Sequence, residues 1–187
     1  DLNEQADKLN DHFFRHESAK LVASLTRFFG PKHIDLAEDV TQAALIEALE
    51  AWRFGKIPQN PSGWLFRVAK NRALDALRHQ KVKARLEPEV VRKHGENQAT
   101  SRLIDEVFLD DEIEDSQLRM MFACCDPDLP TESRIARTLK TLCGFSTREI
   151  ANALLTTEAN AHKRIQRAKT KLRERQDLLD VPTGPEL

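Results

Sequence analysis

Apolar residues recur three and four positions apart along most of the 187-residue chain, the repeat of helices that bury one face. Few stretches alternate in the β manner, and six glycines with no tyrosine leave little material for a sheet. The expected fold is all-α. A first helix is expected over residues 4–29, stopped by Gly30-Pro31. A second runs from Asp35 to Phe54, with Leu36, Val40, Ala44, Leu45, Leu49 and Trp52 as its apolar set. Its acids Asp35, Glu38 and Asp39 lie in the first turns, where the helix dipole is positive. Residues 55–63 contain Gly55, Pro58, Pro61 and Gly63 and read as a loop, followed by a helix from Trp64 to Gln80.

Periodicity then weakens over residues 86–115, which read as a linker with a short helix over Leu103–Leu109. Further helices are expected at 116–124, 131–143, 146–154 and 157–176. The expected organisation is two small helical domains, 1–85 and 116–178, joined by the acidic linker 86–115 and followed by a tail, 179–187.

Hydrophobic residues make up 40% of the chain, enough for one or two small cores. No apolar run approaches the roughly 20 residues of a membrane-spanning helix. The opening DLNEQADKLNDHFF lacks the basic start and apolar centre of a secretion signal. Cys124, Cys125 and Cys143 cannot build a disulfide framework; they suit a reducing cytoplasm, and burial on the apolar helix of Leu118, Met121 and Phe122 is expected for them. His12 and His16 have helical metal-ligand spacing but no third ligand nearby, so neither metal nor cofactor is expected. There is no Gly-rich phosphate loop, nucleophile elbow or metalloprotease motif, which argues against an enzyme.

Charge sharpens the picture. The net charge is −1, yet Lys and Arg are concentrated over 67–93 and 163–175, and acids over 105–115. A near-neutral total therefore conceals two basic blocks separated by an acidic one, an arrangement that calls for explanation. In GFSTREIANALLTT, Ser146 and Glu149 have capping-box spacing, and Thr157 is placed to cap the next helix. Two short helices joined by such a turn form a helix-turn-helix. In the second helix Ala161, Ile165, Ala168 and Leu172 share an inward stripe. Asn160, His162, Lys163, Gln166 and Arg167 then face outward for base edges, while Lys163, Arg164 and Lys169 suit phosphates. On the helix from Trp64, Arg67, Lys70, Asn71, Asp75 and Arg78 fall in one sector, with Phe54, Trp64 and Phe66 near its start. The sector is either a plain exposed face or a track for unstacked bases.

Three segments carry a resemblance: DLAEDVTQAALIEALEAW, NPSGWLFRVAKNRALDALR and GFSTREIANALLTTEANAHKRIQRAKTKLR. They resemble successive motifs of bacterial sigma factors of the extracytoplasmic-function (ECF) group, which keep only the second and fourth sigma domains. The resemblance implies binding of core RNA polymerase, with Asp39 and Gln42 on the clamp helices of the largest catalytic subunit and the fourth domain near the flap. It implies that loop 55–63 holds a base flipped from the −10 promoter element. Asn60, Trp64, Arg67, Lys70, Asn71 and Arg78 would lie along the melted strand and adjacent duplex. Asn160, His162, Lys163, Arg164, Gln166 and Arg167 would read the −35 element.

The sequence departs from similar proteins in having Ala43 after Gln42, Leu155 where the turn carries Gly, and Ala159-Asn160-Ala161 at the start of the recognition helix. The segment LRMMFACCDPDLP resembles a subgroup with a C-terminal extension, so the chain is expected to be the sigma core of a longer protein. Control by an anti-sigma protein or by that extension is then implied. The acidic linker suits either the positively charged RNA exit path or a plain solvated spacer. The alternative function is a free-standing helix-turn-helix regulator with an N-terminal sensing or dimerisation domain.

Overall fold

The computed structural model describes residues 2–53, 57–85 and 96–174, with side chains described over 11–53, 57–79 and 100–174. Residues 86–95 of the expected linker, part of the 55–63 loop, and the tail 179–187 lie outside the described residues. The described elements are helices α1 (Leu2–Phe29), α2 (Ile34–Trp52), α3 (Pro61–Arg85), α4 (Glu96–Val107), α5 (Asp110–Cys124), α6 (Thr131–Thr141), α7 (Thr147–Ala153) and α8 (Glu158–Glu174). A single 3₁₀ turn, Pro31–His33, joins α1 to α2. Gly30 takes φ 85° there, a left-handed value that a glycine adopts without steric penalty.

Helices α1, α2 and α3 form the first bundle. Small residues of α2 and α3 make close approach possible: Ala44, Ala48 and Ala69 pack with Leu21 and Leu65, and Ala37 and Ala73 with Leu25 and Val40. Aromatic rings close one end of the bundle. Trp52 stacks on Phe14 with centroids 5.7 Å apart and meets Trp64 at 5.3 Å; each such pair adds about 0.5–1.5 kcal/mol beyond the area it buries.

Because alanines supply the inward face of α2, Leu49 is not part of it. It stands 55% exposed beside Ile46 at 53%, contrary to the periodicity reading. Helix α3 also begins three residues earlier than expected. Asn60 Oδ1 accepts from the Gly63 N–H at 2.8 Å and Pro61 takes the first helical position, so a side-chain cap and a pre-set φ start the helix inside the apparent loop. A Cβ at Gly63 would meet the Asn60 amide at 2.8 Å, so a larger residue there would displace the capping side chain.

Residues 96–115, read from sequence as part of a linker, are mostly helical. Ile104 is fully buried against α1, α2 and α3, and Phe108 meets Phe66 edge-on at 5.1 Å. Asp110, Asp111 and Glu112 form the first turn of α5, where carboxylates favour the dipole. The second bundle, α6–α8, is centred on Ala136, Ile150, Ala151, Ala161 and Ile165.

A further apolar cluster belongs to both bundles: Ala23 of α1 and Ile34 of α2 pack with Met120, Ala123 and Cys124 of α5 and Leu172 of α8. Of the cysteines, Cys124 is buried as expected, whereas Cys125 and Cys143 are exposed. Burial pushes the Cys124 thiol up to about 11, so it packs as a small apolar group. Among the described residues no helix is long and apolar enough to cross a membrane.

Candidate nucleic-acid interface

The helix-turn-helix forms as its caps dictate. Ser146 Oγ accepts from the Glu149 N–H at 3.2 Å, and Glu149 Oε2 accepts from the Ser146 N–H at 2.8 Å. Arg15 of α1 donates to the other oxygen of Glu149 at 2.7 Å. That bond first, and the Ser146 bonds after it, hold the Glu149 carboxyl down to about 2. The turn bends through Leu155, which has φ 48° and is 95% exposed. Thr157 Oγ1 accepts from the Asn160 N–H at 3.2 Å and caps α8.

Along α8, Ala161, Ile165, Ala168 and Leu172 are buried, as the 3.6-residue repeat requires. Asn160, His162, Lys163 and Arg167 are exposed, and Arg164 and Gln166 are partly exposed. Arg164 pairs with Glu132 of α6 at 2.8 Å. The recognition helix therefore presents a continuous cationic and amide-bearing face. Lys169 differs from its sequence reading: it is 6% exposed and pairs with Asp35 and Glu38 of α2 instead of pointing to open solvent.

On α3, Arg67, Asn71 and Arg78 are exposed, and Arg78 binds Asp75 at 2.8 Å one turn earlier. Lys70 is half-buried and pairs with Asp105 of α4. Trp64 lies partly buried in the aromatic end of the bundle, and Asn60 serves as the α3 cap. Beside that cap opens a cleft of about 610 Å³, with Asn60, Ser62, Gly63 and Phe66 on one wall and Phe108, Asp110, Glu114 and Gln117 on the other. Ser62 donates to the buried Glu17 at 2.6 Å, fixing the α3 side of the cleft.

Helix α2 presents a third surface. Asp39 and Gln42 are exposed, and continuing at steps of four and three along the same face are the exposed Ile46 and Leu49. Two acid or amide groups are thus followed by two exposed aliphatic groups on one face of α2. Ile46 was missed from sequence, although its spacing from Gln42 places it on this face.

The relatives agree with this layout. Residues 13–82 match the model of Sigma-70 region 2, and residues 120–172 match that of Sigma-70, region 4. The first match covers most of α1 and all of α2 with most of α3, and the second runs from the end of α5 into α8, in the order in which sigma factors carry these regions. An uncharacterised protein of Rhizobium meliloti (strain 1021) is 35% identical over 154 residues, which cover 81% of this chain and 35% of that protein. The chain thus spans about a third of the length of the curated relative it matches. It is an all-α chain in which a Sigma-70 region 2 unit is followed by a region 4 unit. It belongs to the sigma-70 family, in its extracytoplasmic-function group.

Proposed function

We propose that the protein is a transcription initiation factor that binds core RNA polymerase and directs it to promoters, reading the −10 element with its first bundle and the −35 element with α8. The observation that carries this reading is the coexistence in one chain of two separate cationic helical faces, on α3 and α8, with the α2 stripe Asp39–Gln42–Ile46–Leu49. Two DNA contacts alone would suit many regulators. The additional exposed stripe on α2 suits a factor that works on a polymerase.

In this reading Asp39 and Gln42 accept and donate hydrogen bonds at the polymerase clamp, while Ile46 and Leu49 bury apolar surface there. The cleft beside Asn60 receives an unstacked base. Unstacking demands a few kcal/mol, which stacking on an aromatic such as Phe66 offsets by about 1–3 kcal/mol. Arg67, Lys70, Asn71 and Arg78 follow the strand beyond that base. Gln166 and Arg167 have donor geometry for adenine and guanine edges, and Lys163 and Arg164 meet phosphates. Neither DNA module is large. Held together on one polymerase, each raises the effective concentration of the other.

The test is run-off transcription from candidate promoters with core polymerase, beside gel-shift binding by the protein alone. Transcripts only when both components are mixed support the reading. Tight binding of an intact palindromic operator without polymerase, by a dimer, would favour the free-standing regulator and overturn it.

A further inference from the structure

Where α1 meets the start of α3, the cleft beside Asn60 is built on a buried carboxylate. Glu17 is 3% exposed. Its Oε2 accepts from the Ser62 hydroxyl at 2.6 Å, and its Oε1 accepts from the Lys20 ammonium at 3.1 Å. Ser62 and Lys20 are only partly buried, and both line the cleft. A carboxylate stripped of water is an expensive way to join two helices; well-packed apolar side chains of similar volume often do so at least as firmly. The position of Glu17 points to a second task.

That task is to hold hydrogens. A serine hydroxyl has one hydrogen to give and two lone pairs to receive. With its hydrogen committed to Glu17, Ser62 Oγ meets the cleft as an acceptor. Asn60 is committed the other way round. Its Oδ1 takes the Gly63 N–H at 2.8 Å, which leaves the Nδ2 hydrogens to donate. Lys20 Nζ carries three hydrogens and gives one to Glu17. The α1–α3 wall therefore offers donors on Asn60 and Lys20 and an acceptor on Ser62, close to the ring of Phe66. Ser62 and Asn60 cannot reverse these roles without breaking the bond to Glu17 or the α3 cap. His16 stands exposed at the rim, its ring stacked on that of His12 at 6.3 Å. Asp110 and Glu114 on the opposite wall are exposed to water.

We propose that Glu17 is a positioning residue that sets base preference at this cleft. By holding Ser62 as an acceptor and Lys20 as a donor, it selects a base edge with one donor and two acceptors. Both pyrimidines present such an edge when unpaired. Guanine presents two donors and one acceptor, so one of its N–H groups would face an N–H of the wall, and an unmade hydrogen bond lowers affinity. The proposal rests on the reading above in which the cleft receives an unstacked base.

The test is binding of forked −10 oligonucleotides by the protein assembled with core RNA polymerase, with dC, dT, dA and dG placed in turn at each single-stranded position. At one position the wild type should prefer dC or dT to dG by about tenfold. Glu17→Gln keeps the shape of the side chain but can donate through its amide, which frees the Ser62 hydroxyl to turn; Ser62→Ala removes the acceptor. Each should narrow the ratio to about twofold, and Ser62→Thr, which keeps a hydroxyl, should restore it. Melting temperatures report folding separately. Ser62→Ala decides the matter if Glu17→Gln fails to fold, because Ser62 is only partly buried. An unchanged ratio in Ser62→Ala and in any folded Glu17→Gln protein, equal weakening for all four bases included, would overturn the positioning role. A wild-type ratio near one at every position sinks the proposal alone. A wild-type assembly that binds forked and fully paired DNA alike removes the base-capture reading and the proposal with it.

Discussion

Leu155 occupies a left-handed backbone conformation with its side chain in water. The strain of a Cβ at positive φ is about 1–2 kcal/mol, and the exposed side chain has little packing to return. Leu155→Gly should therefore raise stability by about 1 kcal/mol, after allowing for the greater chain entropy of glycine when unfolded; thermal melts measure it. Glu149 supplies a pH-dependent counterpart. Arg15 and the Ser146 cap hold its carboxyl down to about 2. A depressed acid contributes stability that is complete above its unfolded value, 4.5, and is lost as pH falls toward 2. Glu149→Gln should thus melt below wild type at pH 7, and the gap should close as pH approaches 2. At Glu38, burial opposes ionisation, yet Arg137 and Lys169 outweigh it and keep the carboxyl below its ordinary range. Docking of the two bundles should accordingly weaken in acid, the direction opposite to that of a buried carboxyl without partners.

At the scale of elements, capping and periodicity assign α7 and α8 with little ambiguity. Ser146, Glu149 and Thr157 do what their spacing implies, and the four inward positions of α8 are buried. The outward face can be tested against its two kinds of contact. Lys163→Ala should weaken −35 binding alike for all sequences and reduce the salt slope by about 1, whereas Arg167→Ala should cost about 1–3 kcal/mol and relax preference at one base pair. Competition binding against a set of altered duplexes separates the two. Helix α2 was less legible. Its apolar count includes Leu49, but alanines let α1 and α3 approach so closely that the larger aliphatic groups are left outside. Leu49→Ala should then leave the melting temperature nearly unchanged and reduce affinity for core polymerase, a combination that a core position cannot produce.

In the whole molecule, Met120 lies fully buried where four helices of the two bundles meet. Met120→Ala should destabilise the protein by about 2–5 kcal/mol. It should also split a single calorimetric transition into two, since the shared cluster is what couples the bundles; one unsplit transition would count against that coupling. Packing also accounts for the faint pattern in the segment read as a linker. Residues 96–115 show weak periodicity because Ile104 and Phe108 bury only one point of contact per turn, while the intervening acids face water or the basic α3.

The chain's own order of residues was enough for the all-α fold, the helix-turn-helix with its caps, the cationic faces and their resemblance to sigma regions. These rest on local hydrogen bonds and on a repeat within each helix, interactions spanning only a few positions. Sequence did not reveal that Lys169 turns inward to Asp35 and Glu38, or that Arg15 touches Glu149, pairs separated by more than 130 positions. Which buried cation meets which carboxylate depends on how two finished bundles dock, and no local pattern encodes that geometry.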